Sequence, residues 1–197
     1  MNRPRMQFLR ETLADLYHRQ SRSDSVEWMQ GMGAVDVGCG GGLASEAMAR
    51  MGLHVLGIDA AAENVEIARL HQQKDHALTQ GSLLRYAQTT AEQLVLTDRK
   101  FDVVVSLEVI EHVTDPVAFC KSLVDLAKPG ALIVLSTMNR TPVSFIVDVL
   151  VPEYLMGWVP RGTHDHSKFM APEELARIFQ SLGAQALDTR GLIMDPL

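Results

Sequence analysis

Between Gly33 and Asp59 the chain runs Gly-Ala-Val-Asp-Val, Gly-Cys-Gly-Gly-Gly, a stretch from Leu43 to Gly52, and then His-Val-Leu-Gly-Ile-Asp. Few folds accept that order. The first apolar run is short, rich in Val and bounded by glycines, which predicts a buried strand. Residues 43–51 carry apolar and Ala positions at helical spacing, and a second apolar run closes the unit. The reading is strand, glycine loop, helix, strand. Glycines belong in such a loop because a nucleotide-like ligand must approach the backbone, and because a side chain would obstruct the turn into the helix.

The glycine spacing then selects a ligand. A dinucleotide loop needs G-x-G-x-x-G or G-x-G-x-x-A. Counting from Gly38 the last place is Leu43, and from Gly40 it is Ser45, so neither fits. The pattern that fits is acid-x-Gly-x-Gly-x-Gly, with Asp36, Gly38, Gly40 and Gly42. It resembles the first motif of class I S-adenosylmethionine (SAM) methyltransferases. The resemblance implies that Asp59 holds the two ribose hydroxyls, and that Asp36 faces the amino-acid end of SAM through water. A glycine-rich turn of another α/β protein is the alternative.

The rest of the chain continues the alternation. Residues 60–69 predict a helix, 71–81 a polar loop and 83–87 a third strand. Thr90-Ala91-Glu92-Gln93-Leu94 follows, where a SAM enzyme commonly places backbone amides against the adenine; Glu92 reads equally as a surface carboxylate. Residues 101–107 form a fourth buried strand, 116–127 a helix closed by Lys128-Pro129-Gly130, and 131–136 a fifth strand. Continuous apolar strands alternating with helices predict a doubly wound, mostly parallel sheet. Ligands of such sheets sit at the carboxyl ends of the strands, where Asp36, Asp59 and Leu107 lie. Residues 1–30 read as an N-terminal helical lid, with Phe8, Leu9, Leu13 and Leu16 at roughly helical spacing. Arg3, Arg5 and Arg10 surround them, as solvated cations or as partners for a SAM carboxylate. A chain of 197 residues allows one domain with a full core.

Composition removes several classes. The net charge is −6 and no long basic run exists, so nothing predicts a nucleic-acid partner. Cys39 and Cys120 suggest neither a disulfide framework nor a metal knuckle, which points to a reducing compartment. No stretch predicts a bilayer span or a signal-peptide core.

Glu108-Val109-Ile110-Glu111-His112 is the second informative stretch. If helical, it projects Glu108, Glu111 and His112 from one face. Two carboxylates and an imidazole can hold Mg²⁺ or Zn²⁺, and a metal-bound catechol would ionise at neutral pH. Alternatively, Glu108 borders the SAM pocket and His112 orients a loop.

Taken with Gly57-Ile58-Asp59, Asp115-Pro116, Ser136-Thr137-Met138-Asn139-Arg140-Thr141, Gly162-Thr163-His164-Asp165 and Lys168-Phe169, these motifs resemble the ubiquinone-biosynthesis O-methyltransferases. That family methylates polyprenylated catechols from SAM. The resemblance implies SAM contacts at Arg5, Gly38, Asp59 and Leu107, and Mg²⁺ held by Glu108, Glu111 and His112. Two departures stand out. Lys-Pro-Gly-Gly is Lys-Pro-Gly-Ala here, ending at Ala131, and the chain stops at Leu197, where relatives continue into a further antiparallel strand. The C-terminal strand is therefore expected to be missing.

Residues 142–170 form a long insertion with Val143, Ile146, Val147, Leu150 and Val151 on one helical face, then Tyr154, Leu155, Met156 and Trp158. An apolar lid that takes the substrate headgroup from a bilayer fits this pattern, as does packing on the domain's own core, with residues 142–160 as the membrane-facing part. His164, and after it His112, are the candidates for a general base; a surface histidine is the alternative. Expected partners are a polyprenyl catechol and other ubiquinone-biosynthesis proteins, with no nucleic acid. The family's location implies the matrix side of the mitochondrial inner membrane, or the bacterial cytoplasm beside the inner membrane. A non-catalytic scaffold subunit and a methyltransferase with another acceptor are the competing functions.

Overall fold

The structure, a computed structural model, describes residues 2–17, 26–141 and 168–191. Its strands are β1 (Gly33–Val37), β2 (His54–Asp59), β3 (Leu84–Gln88), β4 (Phe101–Leu107) and β5 (Ala127–Ser136). They form one sheet in the order β3-β2-β1-β4-β5, and every pairing is parallel. The order reverses between β1 and β4, so the carboxyl ends of those two strands border the crevice where α/β sheets take ligands.

Helices cover both faces, as parallel strands require. Along β4, Val103 and Val105 enter one core with Ala34, Met48, Leu53, Val55 and Tyr86. Val104 enters the other with Val35, Ile58, Phe119, Leu123 and Leu126. The period of two is the pleat itself. On the first face lie α1 (Asn2–Tyr17), α2 (Leu43–Arg50), α3 (Ala62–Gln73) and α4 (His76–Gln80); on the second lie α5 (Ala91–Val95), α6 (Pro116–Leu126) and α7 (Pro172–Ser181). Leu9 and Leu13, one helical turn apart, are fully buried and seat α1. Its ends are tied separately. Arg5 pairs with Glu108 at the carboxyl edge of the sheet, and Tyr17 Oη donates to Gly130 O over 2.9 Å at the amino edge.

Several boundaries differ from the sequence reading, each for a local reason. Within the predicted 1–30 span the described helix is Asn2–Tyr17, and Val26–Met29 is a 3₁₀ turn. Residues 71–81 are not a loop: α3 runs to Gln73, and α4 follows, its N-cap Asp75 accepting from Ala77 N at 2.9 Å. Asp115 caps α6 through Val117 N and Ala118 N, with Pro116 in the first turn. β5 begins at Ala127 because that residue pairs with Phe101. The register then slips, so that Val103 meets Leu132, and Lys128-Pro129-Gly130 bulges between. No antiparallel strand occurs among the described residues. Most of the apolar insertion, with His164, Asp165 and His166, lies outside the described residues.

Candidate active site at the carboxyl edge of the sheet

The glycine loop leaves β1 at Val37. Gly38 N and Cys39 N both donate to Ile58 O, at 2.8 and 2.9 Å, tying the loop to the end of β2. Gly38, Gly40 and Gly42 have φ of 74°, 51° and 84°, the left-handed region that favours glycine. A Cβ on Gly38 would come within 2.4 Å of Val109, whereas one on Gly40 would meet no protein atom within 4 Å. Gly40 is thus the bend whose outer side is open to a ligand. The Cys39 thiol inside the loop is pushed up to about 12 by burial, with Asp36 and Asp59 adding to the effect, so it stays protonated.

Asp59 braces this loop. Its Oδ2 accepts from Gly40 N at 2.9 Å, and its Oδ1 accepts from Ala61 N at 2.9 Å and Asn64 Nδ2 at 3.2 Å. A carboxylate offers about four acceptor positions, so one stays available at Oδ2 beside the loop. Asp36 is placed differently from the expectation of a group facing the ligand. It is 1% exposed and accepts from Ser45 Oγ of α2 at 2.5 Å, beneath the loop. Burial raises its pKa to about 6, partly offset by Ser45. Leu107 ends β4 partly buried against the first core. Residues 90–94 become the start of α5, where Gln93 N donates to Thr90 Oγ1 in a capping box.

The acidic stretch after β4 corrects the helical expectation. Glu108 has φ 57°, and only Ile110–His112 makes a single 3₁₀ turn, so the three side chains do not share a helical face. Glu108 N donates to Ser136 O at 3.0 Å, and Glu108 Oε1 accepts from Ser136 Oγ at 2.8 Å and from Arg5. Arg5 is thereby engaged by a carboxylate of its own chain. Glu111 is buried, its Oε2 accepting from Thr137 Oγ1 at 3.2 Å while its Oε1 has no partner; burial raises its pKa. His112 is exposed. Among the described residues no group of three His, Cys, Asp or Glu side chains is placed to hold a metal ion, so Glu108, Glu111 and His112 do not fit one as arranged. Ser45, Ser136 and Thr137 enter the site as hydroxyl partners that sequence reasoning missed. The last two were legible as polar residues at the end of a strand beside the switch point.

Next to this acidic turn a cleft of about 350 Å³ opens between Val113, Pro116, Phe169 and Met170. Lys168 and the Arg140–Glu174 ion pair also line it.

A family model for a methyltransferase domain matches residues 6–189. The ubiquinone biosynthesis O-methyltransferase of Dinoroseobacter shibae is 41% identical over all 197 residues, which cover 77% of that protein. The chain belongs to the ubiquinone biosynthesis O-methyltransferase family. It is accordingly a SAM-dependent methyltransferase. The mitochondrial member from Arabidopsis thaliana is 44% identical over the whole chain, which covers 60% of it. Among solved structures, magnesium protoporphyrin IX methyltransferase from Synechocystis with bound S-adenosylhomocysteine (SAH) superposes with a TM-score of 0.68. The match is at 21% identity over 94% of this chain and 76% of that one. The cyclase SpnF gives a TM-score of 0.59 at 18% identity, over 87% of this chain and 56% of that one. Those likenesses establish the fold alone, which hosts more than one chemistry.

Proposed function

We propose that this chain transfers the methyl group of SAM to a catechol hydroxyl of a polyprenylated ubiquinone precursor. What carries the reading is the 41% identity to a ubiquinone biosynthesis O-methyltransferase along the entire chain, both halves of the carboxyl edge included. In the reaction a hydroxyl oxygen attacks the methyl carbon in line with the sulfonium. The C–O bond forms as the S–C bond breaks, the hydroxyl proton passes to a base, and SAH and a methyl ether result.

The residues divide that work. The open side of Gly40 admits the cofactor, Asp59 Oδ2 accepts from a ribose hydroxyl, and Leu107 walls the crevice. Arg5 pairs with Glu108 through Nη2 while its Nε has no partner, so it can offer further donors to the cofactor carboxylate. The cleft beside Val113 and Phe169 supplies apolar wall for the ring and the start of a prenyl chain. Orientation and exclusion of water are the protein's main contributions. Magnesium assistance is not part of the proposal, because Glu108, Glu111 and His112 do not fit an ion as arranged. As placed, Glu108 is held by Arg5 and Ser136, so no step here runs through a metal. His112 is the described candidate for the base.

The protein would work beside a membrane that holds the prenyl tail, in a mitochondrion or a bacterium, since relatives of both kinds match. No helix among the described residues is long and apolar enough to cross a membrane. The test is transfer of a labelled methyl group from SAM by purified protein to a short-chain prenyl catechol, a matched monophenol, an amine and a carboxylate. The catechol should be methylated on oxygen and the others not. Preference for an amine or carboxylate would give the chain another acceptor. No transfer to any of them would leave the scaffold role.

A further inference from the structure

Tyr86 sits in the middle of β3, far from the acidic turn, yet it reaches the glycine loop. In the sheet register it lies opposite Gly57 of β2. Its ring crosses over that glycine. A Cβ on Gly57 would stand 2.5 Å from Tyr86 Cδ1, 2.6 Å from Cε1 and 2.8 Å from Ser45 Oγ. The phenol then ends against Gly42, where a Cβ would stand 2.2 Å from Tyr86 Oη and 3.1 Å from Ala68 Cβ. The Gly of Gly57-Ile58-Asp59, which the cofactor reading leaves unexplained, is thus the gap through which Tyr86 passes. Real Cβ atoms do not tolerate such distances, so both glycines and the tyrosine form one packing unit.

The hydrogen bonding fits the same role. Tyr86 Oη donates to Gly42 O at 3.2 Å, and Glu46 N donates to the same carbonyl at 2.9 Å as the first bond of α2. Gly42 is also the left-handed residue from which α2 starts. Ser45 Oγ, beside the same gap, donates to Asp36 at 2.5 Å. At its other end Tyr86 is fixed by Arg69 Nη2, which donates to Tyr86 O at 2.8 Å. The ring is 6% exposed and burial raises the phenol's pKa, so it remains a proton donor throughout the neutral range.

We propose that Tyr86 is a positioning residue for the cofactor: threaded over Gly57, its phenol holds the glycine loop at Gly42, and the loop in turn holds Gly40 and Asp59 in their binding geometry. Tyr86 touches no ligand. It acts through Gly42, and the cofactor part of the inference rests on the SAM reading above.

Tyr86→Phe keeps the ring and removes the hydroxyl, and Gly42 O retains its bond from Glu46, so the variant should fold. Its dissociation constant for SAH, by calorimetry, should rise about threefold to tenfold, the range for one buried neutral hydrogen bond. KM for SAM should rise in parallel while kcat stays within about twofold, because the group is remote from the transferred methyl. Independently of any ligand, hydrogen exchange at the Gly40 and Gly42 amides should quicken relative to the β1 amides. Leu84→Val is the control. Leu84 is 4% exposed on the same strand, so the change should lower the melting temperature yet leave SAH affinity alone. SAH affinity unchanged in Tyr86→Phe overturns the inference, as does an equal loss in Leu84→Val. If the parent binds no SAH, the SAM reading falls by itself. The loop amides then still decide whether Tyr86 holds the loop, and unchanged exchange overturns that.

Discussion

The two halves of the carboxyl edge are built to different standards. Under β1 and β2 the polar groups are paired: Gly38, Cys39, Gly40 and Gly42 donate within the loop or to β2, and Asp59 and Asp36 each have partners. Around the end of β4, the buried atoms Ser106 Oγ of the strand itself, Glu111 Oε1 of the following turn and Arg5 Nε of α1 have none. Native proteins leave few such atoms, and each one calls for a reason. The difference teaches that the glycine loop is already braced, while the turn after β4 leaves Glu111 Oε1 unpaired and available to an acceptor.

The largest effect expected of the first half concerns Asp36. Its folded pKa of about 6 lies above the ordinary 3.8, because burial disfavours the charge. The folded protein therefore holds that proton more tightly than the unfolded chain does. The resulting stabilisation is full below pH 3.8 and is lost as pH rises through about 6. Asp36→Asn should remove this dependence. Parent stability minus variant stability, from denaturant melts, should fall by about 2 kcal/mol between pH 4 and pH 7. A flat difference would mean that Asp36 is solvated.

Asp59→Ala comes next. It removes both the loop brace and a charged ribose partner, so SAH affinity should weaken by about 1.5–3 kcal/mol. Loss of the bond to Ala61 N at the start of α3 should cost about 1 kcal/mol of stability. Unaltered affinity in a folded variant would take Asp59 out of the cofactor site.

Glu108→Gln probes the second half. Breaking a part-buried ion pair with Arg5 should cost about 1 kcal/mol of stability. SAH affinity should move less than twofold and methyl transfer should drop by less than about tenfold, because Glu108 braces the turn and is given no contact with the reacting atoms. EDTA should leave both transfer and SAH binding unchanged, because Glu108, Glu111 and His112 as arranged do not fit a metal ion. Loss of transfer in EDTA, restored by Mg²⁺, would mean that these side chains regroup around an ion. The smallest effect belongs to Tyr17→Phe, which cuts the tie of α1 to Gly130 at the opposite edge. Exposed on its helix end, that bond should be worth about 0.5 kcal/mol, with no change in either activity or SAH affinity.

The halves differ in legibility as well. The unit from Gly33 to Asp59 was readable because its signals are local: glycines where φ is positive, and apolar runs where a strand is covered on both faces. The helical face that Glu108–His112 would present if helical does not form, and three residues spaced for one face carry no sign of a left-handed Glu108. The Arg5–Glu108 pair and the Tyr86–Gly42 bond join residues 103 and 44 positions apart, and no periodicity reports such contacts. Residues 71–81 read as a loop because α4, a polar five-residue helix, lacks the apolar stripe that marks longer ones.

The contrast between a finished half and an expectant one is tested most directly by a crystal structure of the chain with SAH and a prenyl catechol. The Gly38–Gly42 backbone should keep the geometry described here, with a ribose hydroxyl on Asp59. Glu111 Oε1 should gain a partner from the acceptor side. A rearranged glycine loop, with Glu111 Oε1 still unpartnered beside a bound catechol, would contradict the account.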